Sequence, residues 1–145
     1  MMSDYSNYFK KQVGAQFNLD WVRKDSDFVY NQLRHVKKIV PFDSDLDAPV
    51  LEIGSGMGRL ALLLYEAGFS NYTGLEIDPE AQKFSQTLGF QSFNFINQEI
   101  KDFAEKNSEQ RFENVFCFET LEHLEHPIQD LMAISSLIKE GGMFI

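Results

Sequence analysis

Three glycines at alternate positions, Gly54, Gly56 and Gly58, follow the stretch Val50-Leu51-Glu52-Ile53 and precede an apolar run that starts at Leu60. That order describes a strand, a tight turn and a helix. A Cβ at such a turn blocks either the chain reversal or the approach of a ligand to the main chain, which is the reason for glycine there. The helix start beyond it offers N–H groups and the positive end of a dipole, suited to a carboxylate or a phosphate. Alone, the turn has a plain alternative, a glycine loop that merely joins strand to helix. The second feature is Glu76, which closes the apolar stretch Thr73-Gly74-Leu75-Glu76 about 20 residues further on. In a right-handed strand-helix-strand unit this carboxylate comes to lie beside the turn, where it can accept two O–H bonds from a ribose diol. Asp78 competes for that task, but its place before Pro79 fits a helix N-cap followed by proline at the first helical position.

Both features also suit a nicotinamide dehydrogenase. The dinucleotide fingerprint, however, has the form G-x-G-x-x-G/A, whereas the residue at that last place here is Arg59. A turn wrapped around a diphosphate is therefore the poorer reading.

The elements that position these residues follow from periodicity. Residues 1–24 are rich in aromatic side chains spread among polar ones and read as an N-terminal helix or lid, with Phe17 and Trp21 packing and Tyr5, Tyr8 and Phe9 available to cover a site. Residues 25–40 place Phe28, Leu33, Val36 and Ile39 at helical spacing behind the N-caps Asp25 and Ser26, and Pro41 ends that helix. From residue 50 strands and helices alternate: strands at 50–53, 72–76, 92–96 and 114–118, helices at 60–67, from Asp78-Pro79 to Gly89, at 99–106 and at 128–138. Gly141-Gly142 then turns the chain into Met143-Phe144-Ile145. This pattern predicts a Rossmann-like α/β fold, a parallel sheet with helices on both faces. It divides the chain into an N-terminal helical or lid segment, 1–48, and a core, 49–145. The sequence stops inside the fifth strand, so that strand's edge predicts either a fragment or association with a second copy.

Composition narrows the partners. With 13 Lys and Arg against 22 Asp and Glu, the 145-residue chain carries a net charge of −9, which gives no footprint for nucleic acid or an anionic membrane. A small or cationic partner fits better. Hydrophobic residues make up 43% of the chain, enough for a core without disulfides, and Cys117 stands in the apolar run Val115-Phe116-Cys117-Phe118, as a buried thiol would. No stretch approaches the ~18 to 20 apolar residues of a membrane span, and the N-terminus has no apolar signal region. The expected setting is a reducing cytoplasm.

The glycine motif, in the form strand-E-x-G-x-G-x-G, resembles the first motif of class I S-adenosylmethionine-dependent methyltransferases. Further along, Gly74-Leu75-Glu76-Ile77-Asp78-Pro79 resembles the family's ribose-binding strand end, 111–123 its fourth strand and following loop, and Leu137-Ile138-Lys139-Glu140-Gly141-Gly142 the turn into its fifth strand, with Glu140 in place of the usual proline. Leu121-Glu122-His123 is most similar to ubiquinone-type O-methyltransferases and to bacterial small-molecule and sugar methyltransferases. The resemblance implies S-adenosylmethionine as cofactor, held by Glu52, Gly54, Ser55, Gly56, Gly58, Glu76, Ile77, Gln98 and Glu119. Many members of the family carry an acidic residue near the adenine amine; the candidates here are Asn97, Gln98 and Glu99, and Gln98, whose carbonyl oxygen can make the same hydrogen bond, is assigned. It also implies a small-molecule methyl acceptor. If that acceptor is a hydroxyl, His123 is the expected base, imidazole ordinarily titrating near 6.5; capping or packing a helix start is its alternative role. Glu119 and Glu122 either orient His123 or form a solvated face, and His35 and His126 are given no role. The family's sixth and seventh strands are absent, which leaves a non-catalytic S-adenosylmethionine-binding domain as the second reading and a nicotinamide-linked oxidoreductase as the third.

Overall fold

In the computed structural model, residue 31 and residues 45–145 are described. The aromatic segment 1–24 and, apart from residue 31, the expected helix 25–40 lie outside the described residues. From residue 50 the chain runs β1 (Val50–Ile53), α1 (Arg59–Glu66), β2 (Tyr72–Leu75), α2 (Pro79–Thr87), β3 (Phe93–Ile96), α3 (Ile100–Lys106), β4 (Phe112–Phe116), a 3-10 turn (Leu121–His123), α4 (Pro127–Leu137) and β5 (Ile138–Phe144).

The strands form one sheet in the order β3-β2-β1-β4-β5, every pairing parallel. All four residues of β1 and all four of β2 are buried, as expected of central strands covered on both sides. On one face Val50, Tyr72, Phe93, Phe95 and Phe116 pack with Leu60, Ala61 and Leu64 of α1. The α2 helix joins this side, where the Gln82 amide donates to the Phe95 carbonyl at 2.7 Å. The opposite face sets Leu51, Ile53, Leu75 and Val115 against Ile100 and Phe103 of α3 and Ile134 and Leu137 of α4. Each such fully buried side chain contributes ~1.5–3 kcal/mol relative to an exposed one. Helices thus change face between β1 and β4, and the crevice at the carboxyl ends of these strands is where open α/β sheets take their ligands.

Helix signals in the sequence translate closely. Asp78 caps α2, its Oδ1 accepting from the N–H groups of Glu80 at 2.8 Å and Ala81 at 3.2 Å, with Pro79 at the first helical position. Strand limits move more. The fourth strand begins at Phe112 rather than Asn114 because Phe112 already pairs with Ile138 and the Glu113 N–H donates to the Pro49 carbonyl at 2.9 Å. Pairing across the sheet overrides the local polarity of Glu113 and Asn114. The expected last helix ends one residue early, and Ile138 opens β5 instead. Partners then jump from Phe112↔Ile138 to Asn114↔Met143, so Lys139 to Gly142 bulge out of the strand, with Gly141 at φ +78.

Candidate functional site

The glycine turn hangs from the end of β2. The N–H groups of Gly54 and Ser55 both donate to the Leu75 carbonyl at 2.9 Å, and Gly58 N–H closes the turn onto the Ser55 carbonyl at 3.0 Å. All three glycines have positive φ, +73, +53 and +83, a region that residues with a Cβ enter only under strain. Crowding adds a second reason at two of them. A Cβ on Gly54 would land on the Thr120 side chain, 2.7 Å from its Cγ2, and one on Gly58 would stand 2.8 Å from Leu88 Cδ1. At these two positions protein atoms come close, and Ser85 of α2 supports the turn by donating its hydroxyl to the Gly56 carbonyl at 2.9 Å.

Glu76, directly after β2, faces into this turn. Its Oε2 accepts from the Gly56 N–H at 2.7 Å and its Oε1 from the Asp78 N–H at 2.8 Å. Only 5% of the residue is exposed, and burial raises its pKa above the ordinary carboxylate value while those backbone bonds oppose the shift. Each carboxylate oxygen can accept more than one bond, so a diol can be added to these contacts. Asn97, just past β3, donates its amide to the carbonyls of Glu76 at 2.8 Å and Ile77 at 3.0 Å and so fixes the main chain that carries both residues. Asn97 thereby spends its amide N–H groups on the backbone, Glu99 stands at the N-cap position of α3 without a side-chain cap bond, and half-buried Gln98 lies between them. Ile77 is 46% exposed beside Glu76, an apolar surface at the mouth of the crevice.

Below the turn lies a second carboxyl. Glu52 of β1 is buried and accepts from the Tyr72 hydroxyl. Burial pushes it up to about 8, against the pull of that bond, with the nearby Glu76 charge adding to the rise.

The loop after β4 forms the other wall. Glu119 is exposed and takes a left-handed conformation, φ +50. Thr120 sits on Gly54 and donates its hydroxyl to the Phe118 carbonyl at 2.9 Å. The 3-10 turn then carries His123, whose N–H donates to the Thr120 carbonyl at 2.9 Å and whose Nε2 is 3.9 Å from Glu122 Oε1, both side chains being about half exposed. His126 occupies the N-cap position of α4. Cys117, between β4 and this loop, is only partly buried, and burial, helped by the nearby Glu122 and Glu52 charges, pushes the thiol up to about 11.

The sequence-derived residues thus gather at the carboxyl edge of the sheet: Gly54, Ser55, Gly56 and Gly58 after β1, Glu76 and Ile77 after β2, Gln98 after β3, and Glu119 and His123 after β4, with Glu52 beneath. Thr120, Ser85 and Tyr72 carry no signal in the sequence for a place in it, and Asn97, a candidate beside Gln98 for the adenine amine, donates its amide to the backbone.

Comparison with known proteins gives the family and the fold. A family model described as "Methyltransferase domain" matches residues 28–145. Among curated relatives, the ubiquinone biosynthesis O-methyltransferase of Xanthomonas campestris pv. campestris (strain B100) is 30% identical over 97 residues, 66% of this chain and 40% of that protein. The mitochondrial enzyme of the same name from Dictyostelium discoideum is 27% identical, over 64% of this chain and 32% of its own length. The chain therefore spans well under half of these relatives. Of solved structures, a SAM-dependent methyltransferase from Archaeoglobus fulgidus superposes with a TM-score of 0.65 at 22% identity, covering 93% of this chain and 53% of that one. The plantazolicin methyltransferase BpumL, solved in complex with SAH, gives 0.64 at 19%, covering 99% and 51%. On its glycine turn, its strand order and the family match, this chain belongs to the methyltransferase domain family.

Proposed function

We propose that the chain binds S-adenosylmethionine and transfers its methyl group to a hydroxyl of a small molecule, a metabolite or a sugar. The observation that carries this reading is Glu76, whose carboxylate is bonded to the Gly56 N–H at 2.7 Å and so lies where the glycine turn meets the end of β2. The donor set fits the nucleoside: an acid for the ribose, Gln98 for the adenine amine, Ile77 as an apolar surface for the base, and a turn of three glycines for the amino-acid arm.

When bound, S-adenosylmethionine supplies a methyl group on a sulfonium, an electrophile that needs no covalent intermediate with the protein. The chain's own residues then have three tasks. Glu76, Ile77 and Gln98 hold the nucleoside. Thr120 and Glu119 close the crevice from the β4 side and limit water. His123, next to that wall, takes the proton of the acceptor hydroxyl as oxygen attacks, with Glu122 orienting the ring. In this reading residues 49–145 form the cofactor-binding core; the protein works in the cytoplasm without nucleic acid, and the edge of β5 offers a surface to a second copy.

Calorimetric titration with S-adenosylhomocysteine and, separately, with NAD tests the reading. Heat with the first and none with the second is expected. The reverse result would turn the chain into a nicotinamide-binding protein, and cofactor binding without turnover on a broad acceptor panel would reduce it to a binding domain.

A further inference from the structure

Tyr72 and its bond to Glu52 have no part in the reading above. Across the β1–β2 pairing Val50 stands opposite Tyr72 and Glu52 opposite Gly74, and alternation along each strand sets Tyr72, Gly74 and Glu52 on one face of the sheet. Gly74 lacks a side chain, so the tyrosine can lie over it and bring its hydroxyl to the Glu52 carboxyl. A Cβ at Gly74 would be 2.7 Å from that hydroxyl and 2.9 Å from Ser55 Oγ, an atom buried without a hydrogen-bond partner of normal geometry. The tyrosine ring is itself fully buried and stacked on Phe93, with centroids 4.7 Å apart. The hydroxyl cannot leave Glu52 without unpacking the core.

The reading above takes adenine at the end of β3, ribose at the end of β2 and the amino-acid arm at the glycine turn after β1, and Glu52 stands on the strand beneath that turn. We propose that Tyr72 is a positioning residue for cofactor binding, holding the Glu52 carboxyl beneath the glycine turn so that the cationic arm of the ligand expels its proton. This rests on the assignment of S-adenosylmethionine made above.

The balance is simple. The O–H bond of the carboxylic acid breaks, the proton passes to solvent, and the carboxylate that remains is opposed by the ligand's ammonium while Tyr72 keeps its own proton and continues to donate. Among the described residues, the titratable groups facing Glu52 are Tyr72 of β2, Glu76 just after it and Cys117 from the end of β4. None of these three can carry a positive charge in any protonation state. Burial raises the Tyr72 hydroxyl well above its ordinary value, with the Glu52 charge adding to it, so it stays protonated throughout. With its own carboxyl pushed up to about 8, Glu52 enters the binding step at neutral pH mostly as the acid.

Titration of the full chain with S-adenosylhomocysteine at pH 7, in phosphate and in Tris, measures this step, since the two buffers absorb a proton with different heats. Release of close to one proton is expected. Affinity should rise up to tenfold per pH unit from pH 6 and level off near pH 8, because the cost of deprotonation falls as pH approaches the value of the free carboxyl. In Tyr72→Phe, which keeps the stacked ring, the loss of a bond that favours the carboxylate should move the levelling-off to higher pH and weaken binding several-fold at pH 7. Glu52→Gln should bind with no proton release and a flat profile. Heats independent of buffer in the native chain, release that survives Glu52→Gln, or an unchanged profile in Tyr72→Phe would each overturn the proposal while leaving the cofactor assignment intact. Absence of any binding would remove both.

Discussion

The two walls of the crevice are built differently. On the β1–β2 side, main chain and side chains interlock: Leu75 holds the turn, Glu76 and Ser85 brace Gly56 from two directions, and Asn97 fixes the backbone that carries Glu76. On the β4 side, the Thr120 hydroxyl bonds within the loop and the side chains of Glu119, Glu122 and His123 are exposed, with Thr120 against Gly54 as a point of attachment to the turn. One wall is braced before any ligand arrives, because Glu76, Ser85 and Asn97 there already hold backbone partners. The other carries its reactive group where an acceptor and further parts of the protein can still shape it.

Substitutions should separate the walls accordingly. Gly54→Val is expected to have the largest effect, since it forces a β-branched residue to φ +73 and drives Thr120 off the turn; strain of ~1–3 kcal/mol adds to the collision, and loss of both cofactor binding and several degrees of melting temperature should follow. Normal binding by a folded Gly54→Val chain would show that the walls do not meet there. His123→Ala comes next, with kcat on a hydroxyl acceptor lowered by ~10²–10⁴-fold and the dissociation constant for S-adenosylhomocysteine unchanged. A matched loss of affinity would place the histidine on the cofactor side. Glu76→Ala should weaken cofactor binding by ~1.5–3 kcal/mol, the range of charged hydrogen bonds, and should also lower stability because the Gly56 and Asp78 N–H groups lose their acceptor. Unaltered affinity would move the ribose contact elsewhere. Asp78→Ala is expected to be mildest, costing the helix cap ~1 kcal/mol and leaving affinity close to native, as calorimetry beside a thermal melt would reveal.

How far the sequence is readable depends on the range of the interaction. The glycine turn, the acid after β2 and the Asp78-Pro79 helix start follow from neighbours along the chain, and the order of elements leaves a parallel sheet as the natural result. Hidden features all depend on register between strands. The hydroxyl of Tyr72 reaches Glu52 only because β2 sets Gly74 opposite Glu52, and Thr120 lies on Gly54 only because β4 is the neighbour of β1. In one dimension Tyr72 reads as another core aromatic. Glycine at position 74 reads as a flaw in a strand, although its φ is not among the positive ones and close approach is its reason for being there. The end of α4 is likewise ambiguous along the chain because Ile138 suits either element, and pairing with Phe112 decides between them.

The bulge in β5 bears on how this edge tolerates change. The strand joins the sheet at Ile138, departs for Lys139 to Gly142, and rejoins at Met143, where Gly142 passes so near the Glu113 carbonyl that a Cβ would stand 2.8 Å from it. Two anchor points with slack between them uncouple the end of α4 from the outer half of the strand. Residues gained or lost in the slack can be absorbed as a larger or smaller excursion, keeping Met143 beside Asn114, whereas a side chain at 142 would pull on the anchor itself.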